Sequence, residues 1–230
     1  KAGVTIALKN LVGINVRKEF LPHHTIGSVK EDGDEYRKKS KFRKISSIAY
    51  DYKNKFEGEG KYVRAFFCLV VGYGIKIISN KCFHDEMEGS WSGNHTISKT
   101  IVDLNKILLY ADKNGNQLER QRKLLNIADM IISGEKEGPV APSPKYVGYL
   151  VLGEDSVCVD KLVATMMGAD IEKLPVIENA DHIHGKLEIG TKCEPKIVSN
   201  NNKINGKRVQ DLKVDDKWNF IGTSGWTSIF

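Results

Sequence analysis

The chain has 230 residues, of which 40% are hydrophobic and 28% charged, and this composition excludes a wholly disordered, collagen-like or coiled-coil chain. Its 35 basic and 29 acidic side chains give a formal net charge of +6, which allows an anionic partner. Because the basic residues are mostly interleaved with acidic ones, they give no strong nucleic-acid signal.

The length fits one large domain or two small ones. The four cysteines contain no C-x-x-C pair, so this chain carries no iron–sulfur cluster motif and no zinc-ribbon ligand set. No secretory signal is visible, and cysteines this sparse indicate reduced thiols, so we expect a cytoplasmic protein. The chain begins at Lys1 with a stretch typical of the middle of a domain, and we expect the N-terminal part of that domain to be missing.

The first predicted elements are a short apolar run and a long loop. Residues 4–12 are apolar apart from Lys9 and Asn10, and over so short a run the pattern fits either a helix or a buried strand. Residues 13–40 predict a loop, and a connection of this length is usually functional or mobile. It carries His23 and His24, which are candidates for a metal ligand or an acid–base group; the alternative is an exposed loop histidine.

An amphipathic helix and a strongly apolar segment follow. Residues 41–57 predict the helix, which glycines at 58 and 60 end. Residues 65–75 form the most apolar segment of the chain, and they fall well short of the ~20 residues that cross a bilayer as a helix. We therefore predict a buried core segment and no transmembrane span. The alternative is a re-entrant or interfacial anchor, which the basic residues upstream would support.

The clearest helix is predicted from about Thr96 to Ala111, because apolar side chains recur there at helical spacing. The segment before it, 89–94, places glycines and small polar groups at a helix N-terminus, an arrangement suited to anions. Trp91 and Asn94 are therefore candidates for substrate binding. The alternative for Trp91 is a side chain that fills a surface cleft.

The middle of the chain predicts strand, loop, strand and helix, over residues 124–132, 134–144, 146–152 and 157–167. This order predicts an α/β fold with a mixed or mostly parallel sheet flanked by helices. From about residue 181 onward, turn signals such as Asn205-Gly206 predict a small β-rich C-terminal extension. We therefore divide the chain into an α/β domain over residues 1–180 and a β extension over residues 181–230.

The glycine-rich loop after the first strand is the best place for chemistry. In α/β sheets, ligands bind outside the carboxyl ends of the strands, and glycines such as Gly134 and Gly138 let backbone N–H groups approach an anion. Asp129 would project into the same crevice. The alternative is a tight connection between strands, in which Glu135 is solvated. His182 and His184 would share one face of a strand, but two histidines do not complete a metal site.

Several motifs, in this order and spacing, resemble a known family. They are G-V-T-I-A-L-K-N-L-V-G at 3–13, L-P-H-H at 21–24, G-S-W-S-G-N-H-T at 89–96, D-L-N at 103–105, Asp129, G-E-K-E-G-P at 134–139, V-C-V-D at 157–160 and Met167-Gly168. Over roughly residues 2–177 the chain is similar to the domain of unknown function 362 family.

The resemblance implies a bacterial or archaeal α/β domain. Some relatives are fused to iron–sulfur modules, and relatives normally continue upstream of the T-I-A-L-K-N motif. The loop of the family usually has the pattern G-E-G-x-G-P, and in this chain Lys136 replaces the middle glycine. A side chain at that position makes close approach of the backbone to a ligand harder.

Our leading hypothesis is an enzyme domain for a small anionic substrate, assisted by a divalent metal. Lys9 and Asn10 would position the anion, and His23 or His24 would act as a ligand or as an acid–base group. The three carboxylates, Asp129, Glu135 and Asp160, would bind a metal or transfer protons, with His23 and Asp129 as the first metal ligands. The alternative is a non-catalytic binding or redox-partner module that docks to an iron–sulfur protein or a membrane surface. Convergence of these side chains in one cleft favours the enzyme, and an exposed apolar face around residues 66–75 favours docking.

Overall fold

The structure, a computed structural model, describes residues 2–14, 41–83, 96–138, 141–181, 187–190, 196–213 and 217–230. Six α-helices and two strands follow in chain order over these ranges: α1 Ala7–Asn10, α2 Lys41–Gly58, α3 Tyr62–Phe83, α4 Thr96–Tyr110, β1 Asn126–Glu137, β2 Ala141–Gly153, α5 Ser156–Met167 and α6 Pro175–Asp181. The fold therefore mixes helices with a two-stranded sheet.

The sheet of the described region consists of β1 and β2, which pair antiparallel from Asn126 opposite Gly153 to Glu137 opposite Ala141. The expected mostly parallel sheet is not confirmed. The physical reason is the short connection, because only residues 138–140 separate the two strands and a parallel pair needs a crossover of a dozen residues or more. The expected loop over 134–144 is wrong for most of its length, since β1 continues to Glu137 and β2 begins at Ala141.

The main core forms where the N-terminal segment meets helices α4, α5 and α6. Leu8, Ile101, Leu174 and Trp226 are almost completely buried in one cluster. At Gly3, which has φ +84°, a Cβ atom would lie 2.6 Å from the Leu174 side chain and 2.8 Å from the Trp226 ring, so only glycine fits. The first residues of the described chain thus pass through the centre of the core.

The predicted helices at 96–111 and 157–167 are confirmed as α4 and α5. The side chain of Asp155 caps α5 by accepting backbone hydrogen bonds from Val157 and Cys158, at 2.8 and 2.9 Å. Gly168 ends the helix in the left-handed conformation, with φ +93°. Local sequence signals therefore determine both ends of α5.

The β-rich C-terminal extension is not confirmed. Among the described residues from 187 onward, the backbone forms turns, two 3-10 helices (Val209–Asp211 and Ser224–Ile229) and one isolated bridge between Lys196 and Arg208. The Asn205-Gly206 turn exists, with Gly206 at φ +77°, but no strands extend from it. Pairing across the turn is limited to this bridge and to the backbone hydrogen bonds of Ile197 with Lys207 and Gly206, at 2.9 and 2.8 Å. Nearby apolar side chains, including Ile197 and Ile204, pack against Met166 of α5. The domain boundary at 180/181 stays a prediction.

Helices α2 and α3 form an antiparallel hairpin. The predicted helix over 41–57 is confirmed as α2, and the apolar segment 65–75 lies within α3. The prediction that this segment is buried in the core is wrong, because most of its large apolar side chains are exposed, with Phe66 at 62% and Phe67 at 65%. Only its inner side, at Ala65 and Gly72, is buried. Within the described ranges, no helix is both long and apolar enough to cross a membrane.

Candidate functional site

A cleft of about 490 Å³ lies between the N-terminal segment and β1. Its first wall includes Thr5, Ile6 and Asn10, and its second wall is formed by residues 125–130 and 132–134. Consecutive strand residues point to opposite faces of a sheet, so a cleft on one face would contact only every second residue. This wall contains nearly every residue in turn, which indicates that it follows the edge of the strand. The cleft therefore runs along the edge of β1 that faces away from β2, where backbone N–H and C=O groups point outward.

Asn10 of α1 lines this cleft and is exposed, whereas Lys9 is not among the lining residues and reaches the cleft wall through Thr5. The ammonium group of Lys9 donates a hydrogen bond of 3.1 Å to the hydroxyl of Thr5, and Thr5 lines the cleft as well. A positive charge and an amide group thus lie at one side of the cleft, the combination that recognises an anionic group.

Asp129 lines the opposite wall, and Gly134 lies further along the same strand. The Asp129 carboxylate is exposed and accepts one backbone hydrogen bond, 3.0 Å from the N–H of Ile131. A β-bulge between Met130 and Ile132 interrupts the strand register next to it. Bulges re-aim side chains, and this one lies beside the carboxylate at the cleft.

Asp160 is buried beneath the first wall and is not among the residues that line the cleft. Its carboxylate accepts the backbone N–H of Leu8 at 3.1 Å. Burial raises the pKa of Asp160 to about 7, and hydrogen bonds from the backbones of Leu8 and Ala7 oppose that rise in part. Asp160 therefore positions α1, and with it Lys9 and Asn10.

The same peptide segment is held from the other side by Asn105 of α4. Its amide donates to the carbonyl of Leu8 at 3.0 Å and to that of Ile101 at 2.8 Å. Sequence reasoning did not single out Asn105 as a site residue. The signal that identifies it is a large polar side chain four residues after Ile101, on a buried helix face that is mostly apolar.

Glu135 lies away from the cleft. Its carboxylate accepts the backbone N–H of Ile221 at 3.1 Å and pairs with the Lys145 ammonium at 3.5 Å. The neighbouring Lys136 donates its backbone N–H to the Ile221 carbonyl at 2.9 Å. Glu135 therefore fastens the end of the β-hairpin to the C-terminal segment, and the structure does not bring it together with Asp129.

The glycine-rich stretch is strand and not an open loop. A Cβ atom at Gly134 would lie 3.0 Å from the Cβ of Pro142, so the glycine permits close contact between the two strands. Gly138 follows the last residue of β1, Glu137, and is not among the residues that line the cleft. Lys136 has φ +63°, a conformation that glycine adopts without steric cost, which accounts for the glycine that the resemblance places here.

Six candidates lie outside the described residues: His23, His24, Trp91, Asn94, His182 and His184. Within the part that the structure does describe, no group of three or more His, Cys, Asp or Glu side chains is arranged to hold a metal ion. Among the described residues that line the cleft, Asp129 supplies the carboxylate, and Asn10 and Ser133 supply further side-chain oxygens. The Asn126 amide is bonded to Ser156 and Gly153.

Comparison with known proteins assigns the family. The profile described as Domain of unknown function (DUF362) matches residues 1–165, which is more than half of the chain. The chain belongs to the DUF362 family. No curated protein matches the chain significantly, and no solved structure does either.

The DUF362 match includes most of the cleft. Both walls, at 5–10 and 125–134, fall inside the matched residues, as do Asn105 and Asp160 beneath them. Met167 and Phe220, which also line the cleft, lie beyond residue 165. The polar groups of the cleft therefore belong to the DUF362 region, and later residues contribute apolar lining.

Proposed function

We propose that this DUF362 chain is an enzyme domain that binds a small anionic substrate in the cleft between α1 and β1. The observation that carries the proposal is that Asn10, from the N-terminal segment, lines the same cleft of about 490 Å³ as Asp129 and Gly134 of β1. This volume lies within the range of small-molecule sites.

The two walls would have different tasks. The Lys9 ammonium, held at Thr5, and the Asn10 amide would pair with the anionic group of the substrate. The outward N–H groups of β1 offer further donors to it. Asp129 on the opposite wall would accept a proton from the substrate or bind a divalent cation that bridges to the anion. His23 or His24 would complete this set as a further ligand or acid–base group.

The other two carboxylates take supporting roles in this proposal. Asp160 is a positioning residue, because it acts on Leu8 and through it on Lys9 and Asn10. Glu135 stabilises the end of the hairpin through Ile221 and Lys145.

The test measures thermal stabilisation by inorganic phosphate and by malonate, each with and without Mg²⁺ or Zn²⁺. We expect a concentration-dependent rise in melting temperature that Lys9→Ala and Asp129→Asn reduce at least about tenfold in apparent affinity. Lys113→Ala is the matched control, because Lys113 is an exposed lysine in a turn remote from the cleft. Absence of any stabilisation, or equal stabilisation of all variants, would contradict the proposal.

The second candidate function, a docking module, has an observation of its own. The apolar face around residues 66–75 is exposed on α3, as that function requires. It is compatible with a ligand cleft, because the two features involve separate elements.

A further inference from the structure

The outer side of α3 is a continuous apolar surface. Val63, Phe66, Val70, Tyr73 and Ile77 recur at spacings of three and four residues and are all exposed. Four more exposed side chains flank this stripe: Tyr62, Phe67, Val71 and Ile78. At a rise of ~1.5 Å per residue, the surface is ~24 Å long. We call these nine residues the α3 outer surface.

Helix α2 covers the opposite side of α3. Ala65 is buried, and a Cβ atom at Gly72 would lie 3.3 Å from the Tyr50 ring and 3.4 Å from the Cβ of Ala49. The small residues let the two helices approach closely. A helix that is apolar on all sides is normally covered on all sides, and among the described residues α2 covers only one side of α3. The α3 outer surface is therefore available to a partner.

The charge of the hairpin indicates the chemistry of that partner. Residues 41–83 contain nine basic and three acidic side chains, and the rest of the chain contains 26 of each. The hairpin therefore accounts for the whole net charge of +6. Two of its acids are already paired, Glu57 with Lys53 at 2.7 Å and Glu59 with Lys61 at 2.6 Å. The remaining charge is strongly positive and belongs to the same hairpin as the α3 outer surface.

We propose that the α2–α3 hairpin is a peripheral membrane anchor that places the α3 outer surface on an anionic lipid surface. Phe and Tyr side chains partition into the interfacial region of a bilayer, and Val and Ile side chains enter the acyl boundary. Exposed basic side chains of the same hairpin, such as Arg64 next to Val63 on α3 and Lys55 on α2, would then add attraction to anionic headgroups. Neither feature alone indicates lipid. Together, an apolar surface and a positive charge on one hairpin match an anionic bilayer, which offers acyl chains to the first and anionic headgroups to the second.

A second copy of the chain is the main competing occupant. The spacing of Val63, Phe66, Val70, Tyr73 and Ile77 is that of a coiled-coil seam. Pairing two hairpins through it would bring two sets of six net positive charges together, and this repulsion opposes association. An anionic surface gains from the same charges, which is why we assign the surface to lipid.

The experiment is vesicle co-sedimentation of the full chain, with phosphatidylcholine vesicles and with vesicles that also contain phosphatidylserine. We expect binding to the phosphatidylserine vesicles that weakens with added salt. The double variant Phe66→Asp/Val70→Asp should bind at least about tenfold more weakly, because each aspartate replaces an apolar contact with lipid. Ile107→Asp is the matched control, because Ile107 is an exposed apolar residue of α4 with 59% exposure against 62% for Phe66, and its variant should bind normally.

A second double variant, Lys55→Glu/Arg64→Glu, leaves the apolar surface intact and should weaken binding to phosphatidylserine vesicles severalfold. It also keeps the test decisive if the aspartate variant does not fold. If the wild-type chain binds neither type of vesicle, the proposal is overturned. A dimer in light scattering that the Phe66→Asp/Val70→Asp variant dissociates, without vesicle binding, also overturns it and assigns the α3 outer surface to a second copy. Loss of vesicle binding in these variants does not depend on the phosphate response of the cleft, so the two proposals fail separately.

Discussion

Helices α3 and α4 differ in a way that their composition does not suggest. The more apolar of the two, α3, has 22 residues and packs only its inner side against α2. The 15 residues of α4 include more polar side chains, yet its stripe through Ile97, Ile101 and Leu109 lies in the centre of the core. A helix packs into the core when its apolar side chains lie on one stripe, as they do in α4. A helix that is apolar all round needs more cover than a single neighbour gives.

The strongest test of this comparison replaces one isoleucine in each helix. Ile101→Ala should lower the free energy of unfolding by about 2–5 kcal/mol, because Ile101 is completely buried and its loss leaves a cavity. Ile78→Ala should change it by less than about 0.5 kcal/mol, because Ile78 is 53% exposed. Urea unfolding of both variants measures the two values. Equal losses would mean that α3 is covered in the isolated chain.

The second test measures how the buried carboxyl of Asp160 makes the free energy of unfolding depend on pH. The folded chain holds the Asp160 proton up to a pKa of about 7, whereas the unfolded chain releases it near pH 4. Unfolding therefore releases a proton between these values, and the stabilisation from Asp160 is present below pH 4 and lost as pH rises to about 7. Relative to the wild type, Asp160→Asn should gain up to about 4 kcal/mol between pH 4 and pH 8.

Unfolding of the wild type and of Asp160→Asn at several pH values measures that difference. Exposed carboxyls titrate equally in both proteins and cancel: hydrogen bonds from Asn116 lower the pKa of Asp112, and the hydrogen bond from Lys173 lowers the pKa of Asp170. A difference that stays constant over this range would show that Asp160 does not carry a raised pKa.

The smallest effect concerns the β-hairpin, which is neither core nor free helix. Lys136→Gly should raise the free energy of unfolding by up to about 1 kcal/mol, because it relieves a left-handed conformation at φ +63°. Glu137→Gly, one residue further along β1, should lower it by about 0.5–1 kcal/mol, since that backbone is not left-handed. Chemical denaturation of the two variants measures both free energies of unfolding. A lower value for both variants would mean that the backbone at Lys136 is not strained.

Local signals allowed much of the helical structure to be predicted. The caps Asp155 and Gly168 fix the ends of α5 through contacts with their nearest neighbours in sequence. The carboxylate of Asp112 likewise organises a turn by accepting the backbone N–H groups of Asn114 and Asn116, both at 2.8 Å. Such contacts span a few residues, so the sequence displays them directly.

Features that depend on distant contacts were not predictable in the same way. The exposure of α3 depends on what packs against that helix. Asn10 and Asp129 are far apart in sequence but line the same cleft. They lie close together because the N-terminal segment packs into the core beside β1. Asp160 was identified as a candidate carboxylate, but its contact with Leu8 assigns it a supporting position that spacing alone does not reveal.

The two hydrogen bonds that hold Leu8 have a consequence for how the molecule forms. Asn105 is 97 positions from Leu8 in the sequence, and Asp160 is 152 positions from it. Both hydrogen bonds therefore close very long loops. Contacts of this separation form slowly and late in folding, after helices such as α4 and α5 have their own turns in place. We therefore expect the N-terminal segment to join last and the wall with Lys9 and Asn10 to be completed at that step. A chain still folding would lack the cleft, and only the finished molecule would recognise a ligand there.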